Sequence, residues 1–218
     1  IEKVTGSSPV APTMDLKIIH EDAKLLVVEK PAGFTVFHVQ ETSKETTVAD
    51  FLVAQYPELK ELGESLRYGI VHRLDKETSG VLLVARTEDH FHYLQRQFKE
   101  RTVAKTYICL AHGNIQNSGT ITAPIGRSPA DRRKQKAFDP DSLDAKGKRE
   151  AITEYRVLQR YKGYTLLEVS PKTGRKHQIR AHLVYIQHPL AGDKLYAFKG
   201  QIEPKELQRQ FLHAQSIE

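Results

Sequence analysis

Two short stretches hold most of the side chains that could do chemistry. In Tyr68–Arg86 (YGIVHRLDKETSGVLLVAR), His72, Arg73, Asp75, Lys76 and Glu77 crowd ahead of an apolar run, Val81–Ala85, with Thr78-Ser79-Gly80 expected to reverse the chain between them. A carboxylate at the mouth of a buried strand, flanked by cations, is held ionised by Coulomb attraction and hydrogen bonding. Such an acid can act on a substrate, or it can simply close a polar turn by bonding its own backbone. In Thr173–His182 (TGRKHQIRAH), Arg175, Lys176, His177, Arg180 and His182 gather at a helix start. These cations and the positive helix end suit a phosphate or a carboxylate; a solvated basic face is the plain alternative. The second stretch could supply the cation that Asp75 needs, although composition cannot bring the two together.

What the chain lacks narrows the chemistry. A single Cys, Cys109, excludes an internal disulfide, a Cys-rich zinc site and the Cys set of a nucleobase deaminase. Cys109 lies in an apolar run and reads as core. There is no glycine-rich phosphate loop and no His-Glu-x-x-His, so neither a nucleotide cofactor nor a metal is expected. Lys and Arg number 33 against 27 Asp and Glu, a net charge of +6 in 218 residues. That excess favours an anionic partner. No apolar run approaches the ~20 residues that span a bilayer, and no signal peptide is evident. The sequence therefore reads as a cytoplasmic protein acting as a monomer.

The elements that must position these residues are mostly short strands. Leu16–Ile19, Leu25–Glu29, Val81–Ala85, Ala104–Leu110, Gly119–Ile125, Ala151–Gln159 and Tyr164–Val169 have strand length and composition, the last two joined by a Lys162-Gly163 turn. Thr47–Tyr56, the segment from Thr87 to Arg101, and His177–Gln187 carry helical spacing. Arg127–Arg149 is polar and aperiodic, so a long surface loop is expected there. Its cations Arg127, Arg132, Arg133, Lys134 and Lys136 could track a phosphate backbone. Hairpin-linked strands outnumbering helices argue for an α+β fold with a mainly antiparallel sheet. Residues 1–13, Ser- and Pro-containing ahead of the sole Met14, read as an expression scar or disordered tail. Residues 14–218 then form one domain.

Taken together, the two chemical stretches resemble the RluA family of RNA pseudouridine synthases. The resemblance is carried by His72-Arg73-Leu74-Asp75 with Thr78-Ser79-Gly80, by Lys105-Thr106-Tyr107, and by Gly174 to His182 (GRKHQIRAH). It extends to Glu29-Lys30-Pro31-Ala32-Gly33, Pro124-Ile125-Gly126-Arg127, and His188-Pro189-Leu190-Ala191-Gly192-Asp193 with Leu195-Tyr196, in the family's order. It implies a catalytic domain with a mixed, mainly antiparallel sheet and a central RNA-binding cleft. By the same resemblance Asp75 is the catalytic aspartate, Tyr107 packs on the target base, and Arg180 holds Asp75 ionised. Arg73 fills the space that a flipped base leaves. His72, Arg175, Lys176, His177 and the basic loop are RNA contacts.

The implied substrate is a uridine in rRNA or tRNA. Whether Asp75 attacks the base, attacks C1′ or acts on the sugar stays open. An RNA-binding assembly or folding factor with incidental catalysis is the alternative. Many members carry a small RNA-binding domain ahead of the catalytic one and run through a final strand after it. The short stretch before Met14 and the end at Glu218 imply that the first is lacking and the second clipped.

Overall fold

A computed structural model describes residues 14–38, 42 and 45–218. The segment 1–13, read as a scar or tail, lies outside the described residues. Among the described residues there are ten strands: β1 (Lys17–Glu21), β2 (Leu25–Lys30), β3 (Ser79–Ala85), β4 (Lys105–His112), β5 (Gly119–Thr122), β6 (Ile125–Arg127), β7 (Gln135–Ala137), β8 (Ile152–Tyr161), β9 (Tyr164–Pro171) and β10 (Leu212–Ile217). Three α-helices accompany them: α1 (Val48–Gln55), α2 (Glu88–Glu100) and α3 (Gln178–Tyr185). Eight strands form one sheet in the order β1-β2-β3-β10-β4-β9-β8-β5. Every neighbouring pair is antiparallel except β3 with β10. The α+β fold with a mixed, mostly antiparallel sheet is the one expected. No helix among the described residues is long and apolar enough to cross a membrane.

Local chemistry explains most of the elements. β2 buries Leu26, Val28 and Lys30 in strict alternation, and β9 buries Thr165, Leu167, Val169 and Pro171 in the same way. Thr47 caps α1 in a reciprocal capping box with Asp50, and Thr87 caps α2 by accepting from the His90 N–H. α3 is buried along most of its length, from Gln178 to Leu183.

Three expectations need correction. Gly119–Ile125 is not one strand. It ends at Thr122, and Pro124, which has no N–H for a ladder, turns the chain into a separate two-stranded sheet of β6 and β7. Arg127–Arg149 is consequently not all loop: β7 runs through it, and Ala137 and Phe138 are buried. Ser79 and Gly80 do not reverse the chain but open β3. There β10 passes so close that a Cβ on Gly80, whose φ is +122°, would stand 2.2 Å from the Ala214 carbonyl oxygen.

β10, which the sequence reading missed, is the hinge of the architecture. It inserts between β3 and β4 and so sets the spacing between the Asp75 turn, just ahead of β3, and Tyr107 on β4. On either side lie two apolar clusters, one around Leu26, Leu52 and Leu82, the other around Cys109, Leu167 and Leu183. Tyr107 packs against both, at their seam.

Candidate active site

The two chemical stretches meet in a cleft of about 570 Å³. The turn closed by the Thr78 N–H to the Asp75 carbonyl (3.0 Å) presents Asp75 to one wall. That turn is pinned from behind. The Lys76 carbonyl accepts from the Gly33 N–H (2.9 Å) and from the Lys30 ammonium (3.0 Å). Lys30 is fully buried and also donates to the Pro31 and Phe34 carbonyls. Burial pulls its pKa down to about 8, against the pull of Glu77 and Asp75.

Arg180, from α3, donates its Nη1 to Asp75 Oδ2 at 3.0 Å. Its remaining edge grips Asp193 through Nε (2.7 Å) and Nη2 (2.9 Å), a bidentate pair with both partners buried. Burial opposes the charge on Arg180, yet the hydrogen bonds and charges of Asp193 and Asp75 hold its pKa above the ordinary value. The guanidinium lies 4.8 Å from the Tyr196 ring centroid. His177 Nε2 stands 3.9 Å from the other Asp75 oxygen, Oδ1. Tyr107 lines the same cleft, and burial together with the charge of Asp75 raises its phenol pKa well above normal.

The remaining expected residues divide. Arg73, Arg175 and Lys176 line the cleft; Arg73 is exposed and stacks 5.4 Å over Phe37, and Arg175 is tethered by its Nε to the Glu150 carbonyl. His72 also lines it, but as a fixed acceptor: its Nε2 takes the Leu83 N–H (2.9 Å) and its ring stacks on Phe98. Arg127 is exposed on β6. In the adjoining turn Arg133 is tied to Asp131 at 2.8 Å, and Lys134 sits over the Tyr196 ring. The expectation that His182 joins the cations at the start of α3 is corrected. It is buried, with Nε2 donating to the Ala123 carbonyl and Nδ1 accepting from Thr153 Oγ1, which makes it a neutral core ring.

Several residues were missed. Asp193, Tyr196 and Lys30 stood inside quoted motifs, but nothing local betrayed whom they would touch. Lys99, Arg101, Lys105 and Arg149 complete the basic wall of the cleft; Lys105 belongs to the Lys105-Thr106-Tyr107 motif, and the only signal of the others was charge.

Two rings carry a stability consequence. Burial and the Lys105 charge push His72 down to about 3; burial, Arg180 and Lys176 push His177 down to about 4 against the pull of Asp75. Both stay neutral in the fold at pH values where an unfolded His, with a pKa near 6.5, takes a proton. The unfolded state therefore binds more protons below about pH 6.5, and stability falls as pH is lowered from there toward 4. A urea titration at pH 7.5 and 5.0 should show a loss on the order of 2 kcal/mol from each ring. An unchanged midpoint would mean that these rings protonate freely in the fold.

Comparison with known proteins follows the same lines. The family profile described as RNA pseudouridylate synthase matches residues 24–185. An uncharacterized RNA pseudouridine synthase of Synechocystis is 41% identical over 95% of this chain and 62% of its own length. Ribosomal large subunit pseudouridine synthase D of Nitrosomonas europaea is 40% identical over 95% of this chain and 59% of its own. The chain thus spans about three-fifths of these relatives. The solved structure of human RNA pseudouridylate synthase domain containing 1 superposes with a TM-score of 0.73 at 29% identity, covering 92% of this chain and 77% of that one. With its strand order, its paired Asp75 and Arg180 and a profile match over most of its length, the chain belongs to the RNA pseudouridylate synthase family.

Proposed function

We propose that the protein is an RNA pseudouridine synthase that isomerises a specific uridine in structured RNA, with Asp75 as the catalytic carboxylate and residues 14–218 as its catalytic domain. One observation carries this reading: a carboxylate at the cleft wall, bridged to a buried arginine, faces the same space as Tyr107. The reaction breaks the N1–C1′ bond of uridine, forms C5–C1′, releases the proton from C5 and returns a proton to N1. It is redox-neutral and adds no group. A positioned carboxylate and a group managing the C5 proton meet its needs. Tyr107, with its raised pKa, keeps its proton at neutral pH and packs against the base. Arg73, exposed at the rim, enters the stack as the uridine leaves it. The names of the relatives make large-subunit rRNA the first substrate to test. An RNA substrate and a single buried thiol support a cytoplasmic site of action.

The test is release of tritium from C5-labelled uridine in rRNA transcripts, with carbodiimide-stop mapping of the product. Release at a mapped position supports the reading; no release from rRNA or tRNA overturns it.

RNA affinity should also fall steeply with salt. Arg132 and Lys134 are the cations of the β6–β7 turn to neutralise, because Arg133 already has Asp131. Replacing both with Gln should flatten the log–log salt slope by about 1.5, at roughly 0.7–0.9 per phosphate contact. An unchanged slope would assign both charges to solvent.

A further inference from the structure

Tyr196 touches both the catalytic pair and the basic hairpin. Its hydroxyl oxygen accepts from the Gln135 N–H of β7 at 2.7 Å and lies 3.0 Å from His177 Nδ1. Its ring lies under Arg180 on one side and has Lys134 5.8 Å from its centroid. The phenol has one proton, and two acceptors compete for it: the Gln135 carbonyl at 3.1 Å and His177 Nδ1. His177 settles the contest. Its Nε2 faces Asp75 Oδ1 at 3.9 Å. A lone pair there would repel the carboxylate and an N–H would be attracted to it, so the neutral ring carries its proton on Nε2. Nδ1 is then an acceptor, and the Tyr196 O–H donates to it. Arg180, Lys176 and Asp193 also face the ring, but the partner of Nδ1 is the Tyr196 hydroxyl and the charge nearest Nε2 is Asp75.

We propose that Tyr196 is a positioning residue that couples the β6–β7 hairpin to Asp75, through a chain running from the Gln135 N–H to the Tyr196 hydroxyl, to His177, to the Asp75 carboxylate. RNA gripping the hairpin then tightens the carboxylate's surroundings, so binding and chemistry are linked. The inference rests on Asp75 being the catalytic group.

Tyr196→Phe keeps the ring under Arg180 and removes only the hydroxyl. On the 15N-labelled full chain, long-range ring correlations at neutral pH should find His177 of the wild type in the Nε2–H form, with the signal assigned by its loss in His177→Asn. In Tyr196→Phe the ring should shift toward a tautomer mixture, and the Gln135 amide should exchange at least about tenfold faster. Single-turnover isomerisation at saturating RNA should slow about tenfold, because the carboxylate is held less firmly. A wild-type ring in the Nδ1–H form overturns the proposal, whether or not the variant folds. So does a variant that raises KM while its saturated rate and tautomer stay put, which would leave Tyr196 as a hook for the hairpin alone. A wild type inert on every RNA would sink the functional reading instead, and the tautomer and exchange data would still decide the coupling.

Discussion

Asp75→Asn should take C5 tritium release below detection while RNA affinity is kept or improved. The substitution preserves shape and one hydrogen-bond acceptor for Arg180, but removes the charge and the nucleophilic or basic oxygen. Among the described residues no other carboxylate lines the cleft, and Asp193 behind it is buried with both oxygens engaged by Arg180. Binding should survive because a carboxylate in a basic cleft repels phosphates, so its loss leaves more positive charge for RNA. The fold should survive as well, since Asp75 is partly exposed and Arg180 retains its bidentate partner. The comparison is therefore three measurements on one variant: tritium release, RNA dissociation constant and thermal midpoint. Release near the wild-type rate would remove Asp75 from the chemistry and with it the functional reading. Loss of release accompanied by an equal loss of RNA binding would recast the residue as part of the binding surface.

The sequence made part of this site legible, and the reason is locality. The turn holding Asp75 precedes an apolar run that could only be a strand, and the cations Arg175, Lys176, His177 and Arg180 sit within six residues around the start of α3. Strands with strict alternation, such as β2 and β9, were readable for the same reason. The misses are non-local. β10 has the short sequence Leu212–Ile217 with weak alternation, and its place between β3 and β4 depends on partners more than a hundred residues upstream. Pairing of that kind leaves no local periodicity. Asp193 lies thirteen residues beyond Arg180, outside any helical repeat, so a bidentate bond between them is invisible until the chain folds back. His182 fails in the opposite direction. It has the residue type of a cation and the neighbourhood of a basic patch, but α3 turns it into the core. Residue type cannot report the direction in which a buried helix faces.

Arg180 should prove to be the residue on which stability and catalysis depend together. Arg180→Met fills similar space without charge. It strands Asp193, whose side chain is only 1% exposed, with an ionised carboxylate and no cation, leaving it just the N–H groups of Leu195 and Tyr196. Breaking a buried pair on one side costs about 3–5 kcal/mol. That loss should appear as a large drop in the urea midpoint at pH 7.5. Activity should vanish too, because Asp75 loses its partner at 3.0 Å. The two effects separate in the double variant Arg180→Met, Asp193→Asn. Asparagine removes the stranded charge but keeps an oxygen for the Leu195 and Tyr196 N–H groups. Most of the stability should return, and none of the activity. A double variant as unstable as the single one would trace the cost to packing around the lost guanidinium and not to the unpaired charge. A folded Arg180→Met protein with undiminished turnover would show that Asp75 needs no arginine to be held, and the assignment of the pair as one catalytic unit would fail.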